Sequence, residues 1–158
     1  MKALVIGRFQ PFHKGHELLV KKALKENDLT IVAIGSSQES RTKKNPFSFN
    51  ERKKMISSCF KGIKIIASPD FESDKDWAEY LISKASFDRV YSNNAWVVKI
   101  FQKRKMLIKK SRKLKNVSGK IIRKMIFEND NSYKKLLPKN CLKILDKINA
   151  EKIIRSIA

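Results

Sequence analysis

A chain of 158 residues is long enough for one domain with a full core and too short for two of ordinary size. Its 42% hydrophobic content excludes a disordered protein, and no apolar run approaches the roughly 20 residues that span a bilayer. The formal charge is +21, from 36 Lys and Arg against 15 Asp and Glu, which favours anionic partners such as nucleotides, nucleic acid or an anionic surface.

Strand and helix patterns alternate along the chain. Lys2–Gly7 is a nearly all-apolar run, as expected of a buried parallel strand, and its arrest at Gly7 and Arg8 is not a signal-peptide layout. Residues 16–27 then carry Leu19, Val20, Ala23 and Leu24 at helical spacing. Leu29–Gly35 reads as a second buried strand, 50–60 as a helix, 63–67 as a third strand and 74–86 as a helix through Trp77, Tyr80 and Leu81. A short strand follows at 89–92, a helix at 95–102, a fifth strand at 105–108, and helices at 118–128, 138–148 and 151–157. This alternation predicts an α/β fold: one Rossmann-like, doubly wound domain over 1–158, with a parallel sheet of about five strands, helices on both faces and extra C-terminal helices. Ligands of such sheets bind beyond the carboxyl ends of the strands, at the switch point.

Cys59 and Cys141 lie far apart and outside any CxxC pair, which argues against a disulfide or zinc framework, and the cytoplasm is the expected compartment. Charge is unevenly spread: Arg89 to Phe127 contains no acidic residue. That stretch reads as a solvated basic face or as an attractor of phosphate-bearing ligands. It carries no RNA-binding signature.

Chemistry concentrates at His13-Lys14-Gly15-His16, which holds both histidines of the chain. Positions i and i+3 at a helix start share a face, so both imidazoles can point at one ligand. The segment follows a strand and opens a helix, whose free amides favour an anion. Gly15 permits close approach of a phosphate, and imidazole can donate a hydrogen bond to charge developing on a transferring phosphoryl group.

Gly7-Arg8-Phe9-Gln10-Pro11-Phe12-His13-Lys14-Gly15-His16 resembles the first block of the HIGH-type nucleotidylyltransferases, in the form typical of archaeal nicotinamide-mononucleotide adenylyltransferases. Gly35–Ser40 with Asn45-Pro46-Phe47 and Glu51-Arg52 resembles the second block of that family. Pro69-Asp70, Trp77 and Phe87–Asn94 resemble the third, and Val117–Arg123 is similar to its C-terminal SGTxIR segment.

The resemblance implies adenylyl transfer from ATP to nicotinamide mononucleotide, giving NAD and pyrophosphate. It implies His13, His16, Arg8 and Arg123 as catalytic residues. Gly7, Arg8, Phe9, His13, Gly15, His16, Asn94, Ser118, Gly119, Lys120 and Arg123 would bind ATP. Ser36, Lys44, Arg52, Asp70 and Trp77 would bind the acceptor. Magnesium would travel with ATP rather than on a protein metal site, and a homo-oligomer is expected, with no specific nucleic-acid or membrane partner.

Plainer roles compete for several of these residues. Trp77 has helical spacing with Tyr80 and Leu81 and suits a core equally. Arg52 can pair with a helix-terminal carboxylate, and Asp70 can be a turn residue after Pro69. The sequence also departs from the family pattern: Lys120 stands where Thr or Ser is usual, Ser92-Asn93-Asn94-Ala95 replaces Ser-Gly-Asn-Pro, and the 109–116 link is unusually basic. Competing functions are the same reaction on another phosphorylated acceptor (pantetheine phosphate, FMN, or a cytidylyl transfer) and a non-catalytic nucleic-acid-binding module.

Overall fold

Ala3, Leu4, Val5 and Ile6 are all buried, because the strand they form is covered on both faces. The computed structural model describes residues Met1 to Ala158. Strands β1 (Lys2–Gly7), β2 (Leu29–Gly35), β3 (Lys64–Ser68), β4 (Arg89–Tyr91) and β5 (Leu107–Lys109) make one sheet in the order β3-β2-β1-β4-β5, parallel throughout. β1 pairs with β2 from Lys2↔Leu29 to Gly7↔Ile34, and with β4 from Ala3↔Arg89 to Val5↔Tyr91. The winding therefore reverses beside β1, and the loops after β1 and β4 part there to leave a crevice.

Alternation along β1 divides the core into two. Ala3 and Val5 face α1 (Lys14–Glu26), α2 (Phe49–Cys59), α5 (Gly119–Phe127), α6 (Lys139–Lys147) and α7 (Ala150–Ser156). Leu4 and Ile6 face α3 (Asp74–Lys84) and α4 (Ala95–Lys103), where Trp77, Ala78, Leu81, Ile100 and Phe101 are buried. The doubly wound fold expected from the sequence is the one observed.

Element ends differ from the expected ones where capping or turn chemistry decides them. Ser48 and Glu51 form a capping box, Glu51 N donating to Ser48 Oγ at 3.2 Å and Ser48 N to Glu51 Oε2 at 2.8 Å, so α2 starts at Phe49. Lys105 takes a left-handed φ of 56° in the turn that ends α4, and β5 starts two residues later at Leu107. A 3₁₀-helix at Asn131–Leu136, absent from the sequence reading, buries Tyr133 and is capped by Asp130.

Arg52 corrects an expectation about the site. It is fully buried, and its five N–H bonds go to five backbone carbonyls. Nε donates to Ser48, Nη1 to Arg8 (2.9 Å) and Gly35 (2.7 Å), and Nη2 to Ser36 (3.0 Å) and Glu39 (3.4 Å). No donor remains for a substrate phosphate, and no helix-terminal carboxylate is its partner. Burial, with the charge of Arg8 second, lowers its pKa to about 10, so it stays protonated at neutral pH. Arg52 joins the ends of β1 and β2 to the start of α2 and so fixes the floor of the crevice. Gln10 does similar work, exchanging two 2.9 Å bonds with the amide and carbonyl of Phe47.

Arg52→Met keeps the side-chain bulk and removes every donor. It is expected to lower the unfolding free energy by at least about 3 kcal/mol in denaturant melts, since several buried carbonyls lose their partners.

Candidate active site

The turn after β1 is tightly constrained. Phe9 adopts a left-handed φ of 54° and folds its ring back over Gly7, where a Cβ would lie 2.8 Å from Phe9 Cε1. Only glycine fits at position 7 without displacing that ring. The turn delivers His13 to the N-cap of α1, and the two histidines cap the helix reciprocally. His13 Nδ1 accepts from Gly15 N (3.1 Å) and His16 N (3.3 Å), while His16 Nδ1 accepts from His13 N (3.3 Å). Their rings stack at 3.6 Å, and Phe9 packs edge-on to His16 at 4.8 Å.

Two consequences follow. An Nδ1 that accepts an amide proton places the proton of the neutral ring on Nε2, so each histidine offers an Nε2–H donor. Burial lowers the His13 pKa to about 4, and burial followed by the charge of His13 holds His16 well below its ordinary range. Both rings are therefore neutral at physiological pH. The sequence predicts a helix start whose free amides favour an anion, but two of them, those of Gly15 and His16, are occupied by His13. An anion at this helix start meets imidazole donors in their place.

A cavity of about 380 Å³ opens at the switch point. It brings together Gly7, Arg8, Phe9, His13, Gly15 and His16 from the first turn, Asn94 from the end of β4, and Ser118, Gly119, Lys120 and Arg123 from α5. Every residue that the sequence reading assigned to ATP thus lines one space. Asn94 caps α4 through Oδ1, on the amides of Trp96 and Val97. Ser118 caps α5 on Ile121 N, and the amides of Gly119 and Lys120 have no acceptor within the chain. The open helix amides of this cavity thus belong to α5 rather than α1. Gly119 is required for close approach: a Cβ there would sit 2.8 Å from the Gln10 carbonyl and 3.0 Å from Arg123 Nη1. Arg123 Nη1 donates to that carbonyl at 2.8 Å and Nε to the Lys43 carbonyl at 3.1 Å; burial, then the charge of Arg8, lowers its pKa.

Arg112 and Lys113, missed as site residues, also line the cavity. Their linker is clipped to the β4 loop, with Asn93 Nδ2 donating to Ser111 Oγ and Ser111 N to Asn93 Oδ1, each at 3.1 Å. Their only sequence signal was membership of the acid-free stretch. None of the lining residues is Asp or Glu, and no group of three His, Cys, Asp or Glu side chains comes together in the chain.

The acceptor-side expectations divide. Ser36 Oγ donates to Asp70 Oδ1 at 3.0 Å, and Gln38 Nε2 to Asp70 Oδ2 at 2.8 Å, so Ser36 and Asp70 form one polar cluster at the ends of β2 and β3. Lys44 is not in that cluster and lines a second cavity beside Arg8 and Arg123. Trp77 is 4% exposed, with its indole N–H on Ser68 Oγ at 2.9 Å and Trp96 packed on it at 4.6 Å. Its place is the core, so the stacking expectation is not met. The exposed indole here is Trp96, pinned through its N–H to Asp74 at 3.0 Å.

The parallel sheet, the switch-point cavity and the paired histidines define a nucleotidylyltransferase of the cytidylyltransferase-like family, which matches residues 4–125. Within it, the chain belongs with the archaeal nicotinamide-nucleotide adenylyltransferases. It is 36% identical to the enzyme of that name from Methanolobus tindarius, over 99% of this chain and 94% of the relative. It is likewise 36% identical to that from Saccharolobus solfataricus, over 99% and 96%. A bifunctional NMN adenylyltransferase/ADP ribose pyrophosphatase from Francisella tularensis, solved with AMP and a manganese ion, shares the fold at a TM-score of 0.80 and 24% identity. The chain covers 51% of that longer protein. No helix is long and apolar enough to cross a membrane.

Neutral buried histidines make stability depend on pH. The unfolded state takes up protons near pH 6.5 whereas folded His13 does so only near 4, so stability is full above 6.5 and falls as pH drops through that window. Denaturant midpoints measured from pH 7 to pH 4 are expected to fall, and to fall less steeply in His13→Asn, which keeps a capping oxygen but does not titrate.

Proposed function

We propose that this chain makes NAD by transferring AMP from ATP to nicotinamide mononucleotide. An oxygen of the acceptor's 5′-phosphate attacks the α-phosphorus of ATP; the new P–O bond forms as the bond to the β-phosphate's bridging oxygen breaks, and pyrophosphate leaves with the electron pair. The observation that carries the reading is the stacked histidine pair on the cavity wall beside Arg8 and Arg123, whose Nδ1 atoms accept backbone N–H groups and so leave Nε2 to donate. Donors fixed before the reaction and directed at charge that develops during it stabilise the transition state without reorganisation.

In this reading His13 and His16 serve the α-phosphate. Arg8, Arg123, Lys120 and the open amides of Gly119 and Lys120 neutralise the β- and γ-phosphates and the departing pyrophosphate. Asn94 borders the adenosine. Ser36, Asp70 and the exposed face of Trp96 receive the acceptor, with Trp77 supporting Trp96 from behind. Both substrates are anions, so holding them in line supplies most of the catalysis and no protein nucleophile is needed. The cavity lining offers no carboxylate, so the chain itself does not fit a resident metal ion. Magnesium belongs to the ATP, where it lowers the charge the cations must offset. A homo-oligomer in the cytoplasm, built of single-domain subunits, completes the proposal.

The test is NAD formation from ATP, magnesium and nicotinamide mononucleotide, followed with a coupled dehydrogenase. The wild-type protein is expected to make NAD, and His16→Ala to lose about 10²-fold or more in kcat. Turnover only with a different phosphorylated acceptor would overturn the acceptor assignment. Trp77→Phe is expected to cost about 1–3 kcal/mol of stability, through lost packing and the lost Ser68 bond, while leaving the KM for the acceptor within about twofold.

A further inference from the structure

Arg8, Lys120 and Arg123 are shared by two cavities. On one side lies the space of the paired histidines. On the other lies a recess of about 620 Å³ whose remaining cations are Lys43, Lys44 and Lys124. Phe127, Ile154 and Ile157 supply its apolar lining. Six cationic side chains therefore surround one recess, and no Asp or Glu lines it. Of the six, only Lys124 has a side-chain carboxylate near it, Glu128 at an exposed 3.8 Å; the other five have none within 4.0 Å.

Like charges gathered in this way repel unless an anion joins them. The proposed triphosphate accounts for Arg8, Lys120 and Arg123, but Lys43, Lys44 and Lys124 lie beyond that wall and do not line the nucleotide cavity. Arg123 is fixed astride the boundary, its guanidinium bonded to the carbonyls of Gln10 and Lys43. A flat membrane surface cannot enter a recess. Single-stranded nucleic acid needs a stacking platform for successive bases, and Phe127 is the one aromatic here.

We infer that this recess continues the nucleotide's phosphate track and binds linear inorganic polyphosphate longer than pyrophosphate. The anion crosses the Arg8–Arg123 wall, with one end in the place of the nucleotide's terminal phosphates and the rest among Lys43, Lys44 and Lys124. Such a ligand excludes ATP, and its hold grows when the chain becomes long enough to reach the second set of cations. The inference rests on the proposed triphosphate position, but not on the identity of the acceptor.

Calorimetric titration of the full chain with pyrophosphate and with tripolyphosphate, both without magnesium, tests it. Tripolyphosphate is expected to bind about tenfold more tightly than pyrophosphate and to be displaced by ATP. In Lys43→Gln/Lys124→Gln, whose altered residues lie outside the nucleotide cavity, that advantage is expected to shrink to about twofold or less while ATP binds as before. Equal binding of the two phosphates by the wild type, or an advantage that persists in the double variant, would overturn the inference. Tripolyphosphate binding of the expected pattern in a protein that makes no NAD would sink the proposed reaction and leave the recess assignment standing.

Discussion

The reciprocal cap between His13 and His16 is the constraint from which the chemistry of this molecule follows. A helix start leaves unbonded amides, and most are closed by Ser, Thr, Asp or Asn. Here two imidazoles close each other's positions, each giving up its Nδ1 lone pair to a backbone N–H. One bond set thus fixes the entry of α1, the ring orientation and the tautomer, while burial keeps both rings neutral. Anion-binding capacity moves off the backbone of α1 and onto two side-chain donors held in a stack.

Around that cap, long polar side chains organise loops by collecting carbonyls. Arg52 gathers five of them under the crevice, Arg123 bonds the Gln10 and Lys43 carbonyls, and Gln10 pairs with the backbone of Phe47. Each joins segments distant in sequence that border the switch-point cavity. Arg52 shows the physical division clearly: a buried guanidinium with every donor used stabilises the backbone and cannot also serve a substrate. Arg8, Arg112, Lys113 and Lys120, exposed and without acidic partners, are cations free to meet a ligand.

Much of the fold was legible because its signals are local. Apolar runs such as Leu4–Ile6 and Ile31–Ile34 announce strands buried on both faces, and the period of Leu19, Val20 and Ala23 announces a helix. The convergence on the switch-point cavity was legible for the same reason: its lining residues lie in short segments at strand ends, where the topology brings them together. The failures were of another kind. Arg52 and Trp77 sit in segments that resemble substrate contacts, and only their three-dimensional neighbours, five carbonyls in one case and Trp96 with Ser68 in the other, show a supporting role. The capture of the Gly15 and His16 amides depends on the φ of Phe9 and the ring orientation of His13, neither of which composition specifies. The second basic recess needs α5, α7 and the 43–44 loop to meet, and those segments are far apart in the chain.

The most direct test of the histidine account is a long-range ¹H–¹⁵N NMR titration of the two imidazoles, the only ones in the chain. The account predicts protonated Nε2 and bare Nδ1 on both rings at neutral pH, with His13 taking up its second proton near pH 4. A proton on Nδ1 of either ring would show that the cap does not set the tautomer, and ordinary titration near 6.5 would show that burial does not keep the rings neutral; either result would contradict the account.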